Sequence, residues 1–281
     1  MSGPDKFQLE SHPGGMPIDY DLVADVYDLY VSSDFDVGFY VAEAGRARGM
    51  VLELMSGTGR VSIPLAESGV DLTCVDASEE MLARLEQKLG ARNLRARVVR
   101  ADIRRLTLPE TYDLAIIPFH SFSELVTSRD QELALRAIHG CLKDGGRLIC
   151  SLQDPTVRSS LADGALRLNG AFPADGGTLV ISGFETRNER TGIIDRMQFY
   201  EFFDASSNLR AKRVLPMQFA LISEETFEEL ARTTGFRPVA LYGDYEYGDY
   251  LAGSSPYMVW ILEKLPAPSI GFEAQGEGED Q

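Results

Sequence analysis

The sequence predicts an α/β fold: a doubly wound, mostly parallel sheet with helices on both faces and an antiparallel β insertion. Three observations carry this. Short apolar runs alternate with helical periodicity from about residue 20 to 155. The first run, Val51-Leu52-Glu53-Leu54, breaks into a loop with glycines two apart, Gly57-Thr58-Gly59-Arg60. A second run, Leu72-Thr73-Cys74-Val75, closes on Asp76. Buried parallel strands read as continuous apolar runs, and their ligands lie at the strands' carboxyl ends, where the glycine loop and both acids would meet one molecule. A ribose-containing cofactor is the expected occupant.

Helices are expected over residues 20–30 and 37–47, followed by strand one at 50–54. The glycine loop leads into a helix ending near Gly69, with Pro64 close enough to its start to be tolerated. After strand two, Ser78 is placed to cap a helix. Glu79 and Glu80 lie in its first turn, and Met81, Leu82, Leu85 and Leu89 form its apolar face. Strands three and four fall at 96–100 and 112–117. A helix over 129–142, stopped at Gly145, precedes strand five at 147–152.

Beyond Pro155 the pattern changes. Residues 179–186, 193–203 and 209–221 are β-rich and separated by the turn formers of 188–192 and 204–208, so three strands in an antiparallel meander are expected. A helix over 224–234, with Phe227 and Leu230 on one face, and strands at 238–242 and 257–262 would complete the main sheet. The domain plan is a flexible leader (1–17), a cofactor-binding core (18–155), an inserted layer (156–222), the completion of the core sheet (223–265) and an acidic disordered tail (266–281). The tail carries Glu273, Glu277, Glu279 and Asp280 with no basic residue, a composition that cannot bury enough apolar surface to offset ordering entropy. The inserted layer would roof the acceptor pocket or join two subunits in a homodimer, using Met197, Phe199, Phe202, Met217 and Phe219.

Composition narrows the function. A chain of 281 residues, 44% hydrophobic, can bury a full core. A formal charge of −16 repels phosphate backbones, which excludes nucleic acid as the expected partner. There is no run of 18 apolar residues and no apolar signal core at the start, so no membrane association is expected and the expected compartment is the cytoplasm. Cys74, Cys141 and Cys150 form no C-x-x-C pair and read as buried thiols; no spacing suggests a metal.

The glycine loop admits two cofactor classes. Without a Cβ, glycine allows positive φ and close backbone approach to a ligand, an arrangement also used to bind dinucleotides. Here, however, Ser62 stands where the third glycine of that pattern belongs, and Glu53 would repel a pyrophosphate while attracting an ammonium. With these residues in view, the chain resembles the class I S-adenosylmethionine-dependent methyltransferases. The resemblance rests on residues 52–60, Val75-Asp76-Ala77-Ser78 with Met81-Leu82, Ala101-Asp102-Ile103, residues 113–119 and residues 142–148, in family order and spacing across about 20–155. The layout after strand five resembles small-molecule members, including amino-sugar N-methyltransferases.

That resemblance implies a Rossmann-like core binding S-adenosylmethionine, with S-adenosylhomocysteine as product and a small-molecule acceptor methylated on nitrogen or oxygen. Glu53 would meet the methionine ammonium beside Gly57, Thr58, Gly59 and Arg60. Asp76 would accept both ribose hydroxyls, with Ala77, Ser78 and Met81 alongside. Asp102 and Ile103 would hold the adenine. Pro118 and Phe119 follow strand four, and the segment over 20–28 resembles one that folds over the cofactor, placing Tyr20 and Tyr27 in contact with it. His120 is the candidate general base or substrate contact, because imidazole titrates near neutral pH. Structural alternatives stand beside these roles: core packing for the tyrosines, pairing of Asp102 with Arg104 or Arg105, and backbone hydrogen bonding for His120. A nicotinamide oxidoreductase and a non-catalytic cofactor-binding module are the rival functions.

Overall fold

The computed structural model of the protein describes residues 17–266. The expected leader and tail lie almost wholly outside them. Strands β1 (Val51–Leu54), β2 (Leu72–Asp76), β3 (Arg97–Arg100), β4 (Tyr112–Ile117) and β5 (Leu142–Gln153) pair in parallel. β6 (Arg167–Ala174), β7 (Gly177–Arg187), β8 (Ile194–Phe203) and β9 (Leu209–Phe219) form a separate antiparallel meander. β10 (Phe236–Tyr242) and β11 (Tyr257–Lys264) return to the first sheet as antiparallel members, giving the order β10-β11-β5-β4-β1-β2-β3. β1 therefore has β2 on one side and β4 on the other. The chain leaves these strands in opposite directions at their carboxyl ends and opens a crevice there.

Both faces of the sheet are buried, which is why the strands read as unbroken apolar runs. Val51, Cys74, Leu114 and Ile116 pack under α2 (Val37–Ala47), α3 (Ser62–Glu67) and α4 (Glu79–Ala91) through Phe39, Tyr40, Leu65 and Leu85. Leu52, Leu54, Ala115 and Ile117 face α5 (Ser128–Cys141) and α7 (Glu224–Thr233) through Leu135, Ile138 and Phe227. Each fully buried Leu or Ile contributes about 1.5–3 kcal/mol, so this sandwich fixes the strand ends on which the site is built. The Ser78 hydroxyl accepts the Met81 N–H at 3.1 Å, capping α4 as expected.

The structure departs from the sequence reading in three places. Residues 20–30 do not form one helix: a 3₁₀ turn at Tyr20–Leu22 is followed by a single turn, α1 (Tyr27–Tyr30). The side chains of this segment are drawn to separate neighbours. Asp21 accepts the Glu80 N–H, Asp25 pairs with Arg213, Asp28 takes the Thr58 hydroxyl, and Val23 and Val26 are buried against the meander. The meander has four strands, not three. β6 carries Asn169, Gly170 and Pro173, all disfavoured in strands, and survives because it is an edge strand, where a missing N–H costs no ladder bond. It follows α6 (Pro155–Ser160), whose Asp154 cap and first-position proline are helix-start signals in the sequence. Finally, α5 ends at Cys141 because Leu142 already pairs with Tyr112, so β5 begins well before residue 147.

Candidate active site

Three adjoining cavities lie at the carboxyl ends of β1, β2 and β4. The first is walled by Asp76, Ala77, Ser78, Met81, Asp102 and Ile103, with Gly57 and Met55 from the glycine loop and Tyr20 and Tyr27 from the N-terminal segment. The second, a narrow cleft, holds Glu53, Gly57, Thr58, Arg60, Pro118 and Phe119. The third, about 420 Å³, is walled by Phe119, His120, Arg158, Tyr257 and the meander residues Arg196, Gln198, Met217 and Phe219. Tyr27 and Ser121 line all three, while Tyr20 and Glu124 line the first and third.

Local backbone explains how these walls are held. Gly59 has φ +89, and a Cβ there would lie 2.4 Å from Leu85 Cδ1, so only glycine lets the loop pass so close to α4. Met55 (φ 56), Phe119 (φ 57) and His120 (φ 62) are non-glycine residues in the left-handed region. Such strain persists where surrounding structure enforces it, and here it sits on the two loops leaving β1 and β4.

Asp76 accepts the Gly57 N–H at 2.8 Å and the Ser78 N–H at 2.9 Å. Burial raises its pKa, opposed by those backbone donors. Glu53 is 1% exposed, and its Oε2 has no hydrogen-bond partner. Burial pushes its pKa up to about 8, against the weaker pull of Ser62 and Arg60. A buried carboxylate oxygen without a donor is the deficit that an ammonium would relieve, and Asp76 at the wall of the neighbouring cavity suits a ribose diol. The donor set thus fits an S-adenosylmethionine molecule. Glu53, Gly57 and Asp76 would hold it.

The remaining expected residues take more specific places. The Thr58 hydroxyl donates to Asp28 at 2.5 Å, tying the loop to the N-terminal segment. Arg60 forms an ion pair with buried Asp36, donates to the Ser33 carbonyl at 2.9 Å and lies 4.5 Å from the Phe119 ring centroid. Its charge is compensated by Asp36, and it fixes Phe119 over the cleft. Asp102 is engaged by Arg104 through its side-chain and backbone N–H groups, which holds its pKa below the ordinary carboxylate value, so the wall of the first cavity presents an ion pair, the pairing that stood beside the adenine role. Tyr20 donates to Glu124 Oε1 at 3.0 Å, and edge contacts link Tyr20, Tyr27, Tyr30 and Tyr200.

His120 needs a correction. It lies in the third cavity and stacks on Tyr257 at 4.9 Å, but burial, with Arg158 and Arg60 nearby, drives its pKa down to about 3. A near-neutral base is therefore not what the fold makes of it; the ring stays neutral at physiological pH and can contact substrate. The group that sequence reasoning missed is Glu124. Burial pushes its carboxyl pKa up to about 8 on the wall shared by the first and third cavities. Among the described residues, no cluster of three or more His, Cys, Asp or Glu is arranged to hold a metal, and no helix is long and apolar enough to cross a membrane.

The sequence profile of the methyltransferase domain matches residues 51–146, the stretch that builds these walls. A glycine/sarcosine N-methyltransferase from Halorhodospira halochloris is 30% identical over 241 residues, 85% of this chain and 83% of that protein. The chain belongs to the class I S-adenosylmethionine-dependent methyltransferases. Another methyltransferase relative, the putative methyltransferase YqeM of Bacillus subtilis, is 26% identical over 234 residues, covering 80% of this chain and 90% of its own. The CcbJ methyltransferase of Streptomyces caelestis shares the fold with a TM-score of 0.74 at 23% identity, over 89% of this chain and 100% of its own. Membership in this methyltransferase family makes S-adenosylmethionine the cofactor and removes the oxidoreductase reading.

One consequence for this methyltransferase concerns stability. The folded pKa of Glu53, about 8, stands above its ordinary value of 4.5, so its contribution is fully present below 4.5 and is lost as pH rises through 8. Cofactor-free Glu53→Gln protein should melt roughly 3–8 °C above wild type near pH 8.5, with the difference fading toward pH 5. The same variant should bind S-adenosylhomocysteine about tenfold more weakly, from loss of an ammonium contact. Thermal melts across pH and calorimetry read both effects.

Proposed function

We propose that this methyltransferase transfers the methyl group to an amine nitrogen of a small molecule held in the third cavity. The observation that carries the reading is the shared wall: Tyr27 and Ser121 stand where all three cavities meet, and Glu124 faces both the cofactor cavity and the acceptor cavity. A cavity of about 420 Å³ suits a small molecule. The relative from Halorhodospira halochloris is named for N-methylation, which supports nitrogen over oxygen.

S-adenosylmethionine, when bound, supplies a methyl group already activated for in-line displacement. The protein's part is to position, desolvate and move one proton. Glu53 would hold the cofactor's ammonium end and Asp76 its ribose. Tyr20, Tyr27 and Phe119 exclude water from the junction. The ionised Glu124 carboxylate takes a proton from the acceptor ammonium and so frees the nitrogen lone pair, the nucleophile that the activated methyl group would require. Tyr20, hydrogen-bonded to Glu124, fixes the direction in which that carboxylate points. His120 and Tyr257 form a neutral aromatic floor.

The test is a methyl-transfer assay on matched small amines and alcohols with labelled S-adenosylmethionine. Label should enter the amines. Transfer to the alcohols alone would make this an O-methyltransferase, and S-adenosylmethionine binding without transfer to any acceptor in a broad panel would leave a binding module.

A further inference from the structure

The acceptor cavity contains a second charged set that the proton transfer does not use. Arg158, from α6, and Arg196, from β8, line this cavity but not the cofactor cavity. Both ion-pair with a single carboxylate, Glu185 on β7: Arg158 Nη1 with Oε2, and Arg196 Nη1 with Oε1 at 3.3 Å. The side chains are 10%, 26% and 14% exposed respectively. Among the described residues Glu185 is the one carboxylate within ion-pair distance of either guanidinium, while the Asn169 amide oxygen accepts from Arg196 Nη2 at 3.3 Å, so two partly buried cations share one anion, an arrangement that a further anion would complete.

A third donor points to the same kind of ligand. Gln198 lies two residues from Arg196 on β8, is 2% exposed and lines the same cavity. Its Nε2, beside the Tyr200 hydroxyl, has no partner of hydrogen-bonding geometry. Guanidinium groups present planar forks of N–H donors that match the paired oxygens of a carboxylate or phosphate, and an amide N–H₂ adds a neutral donor. The only acidic side chain lining this cavity among the described residues is Glu124, on the wall shared with the cofactor cavity.

We infer that the acceptor carries an oxyanion, a carboxylate or a phosphate, received by Arg158, Arg196 and the Gln198 amide. This rests on the reading of the third cavity as the acceptor site. The acceptor is then bipolar, with an amine presented to Glu124 and an anionic group held by the meander side. Because Glu124 also lines the first cavity and the two arginines do not, such an acceptor is oriented with its amine toward the cofactor side, and the meander side selects the substrate.

The test reads anion binding without methyl transfer, so failure of the amine assay and failure of this inference are separate results. The full chain, saturated with S-adenosylhomocysteine, is melted in sodium phosphate and in sodium acetate, each against sodium chloride at matched ionic strength. At least one oxyanion should raise Tm above the chloride control by about 2–4 °C when at roughly tenfold its Kd. The rise should vanish in Arg196→Gln, persist in Arg196→Lys and shrink in Gln198→Leu. A response to phosphate alone assigns a phosphate-bearing acceptor, and a response to acetate alone a carboxylate. No oxyanion response beyond chloride in wild type, or a response unchanged in folded Arg196→Gln and Arg158→Gln proteins, overturns the inference.

Discussion

Asp76→Ala protein should bind S-adenosylhomocysteine about 100- to 1,000-fold more weakly than wild type, the loss expected for two charge-assisted hydrogen bonds to a vicinal diol. The carboxylate also accepts the Gly57 and Ser78 N–H groups, so the substitution frees two backbone donors and loosens the turn that carries the cleft. Asp76→Asn separates these effects, because its amide oxygen can keep one of the backbone bonds while the negative charge is gone. It should lose less than Asp76→Ala. Calorimetry on variants whose melting curves show a folded protein gives the comparison, and unchanged affinity in folded Asp76→Ala would remove Asp76 from the cofactor site.

Glu124→Gln should lower kcat by about 10²–10⁴, the range typical of losing a positioned proton acceptor. S-adenosylhomocysteine affinity should change little, since the first cavity keeps Asp76 and the glycine loop. The sign of the pH dependence follows from the raised pKa. Only the ionised carboxylate accepts a proton, so wild-type kcat should climb with pH through about 8, or lower once the positively charged cofactor is in place. The slope should disappear in Glu124→Gln. A folded variant with full kcat and an unaltered pH profile would show that Glu124 shapes the cavity and does no chemistry.

The core of this methyltransferase was legible because its strands are buried on both faces. Val51–Leu54 and Tyr112–Ile117 could be read as apolar runs whatever lay around them. Ser78 and its following acids marked α4 by local capping chemistry alone. The segment over 20–30 was misread because its helical spacing is real but weaker than the tertiary partners that claim Asp21, Asp25 and Asp28. β6 was missed because an edge strand accepts residues that strand propensity rejects.

The site divides in the same way. Glu53, Gly57 and Asp76 stand in a fixed relation to strand ends, so their place at the cavities' walls could be read from spacing. Glu124 follows no motif. Its raised pKa comes from burial, beside a Tyr20 hydroxyl brought from 104 residues away. His120 lines the third cavity with a lowered pKa and not a near-neutral one, because desolvation and the nearby Arg158 and Arg60 cannot be read from a loop sequence.

The meander and the N-terminal segment share a small core of their own, in which Leu179, Ile181, Tyr200, Leu215 and Met217 enclose Val23 and Val26, distinct from the two cores flanking the main sheet. Fewer buried contacts hold such a unit than hold the sandwich, so it can open as a separate cooperative piece at lower free energy. The molecule is in this sense two machines with different tolerances. Substitutions among those seven residues can reshape the proposed acceptor chamber, or let it breathe, while the strand ends under the first cavity keep their register, which would leave selectivity free to diverge in a lineage whose methyl-donor chemistry stays fixed.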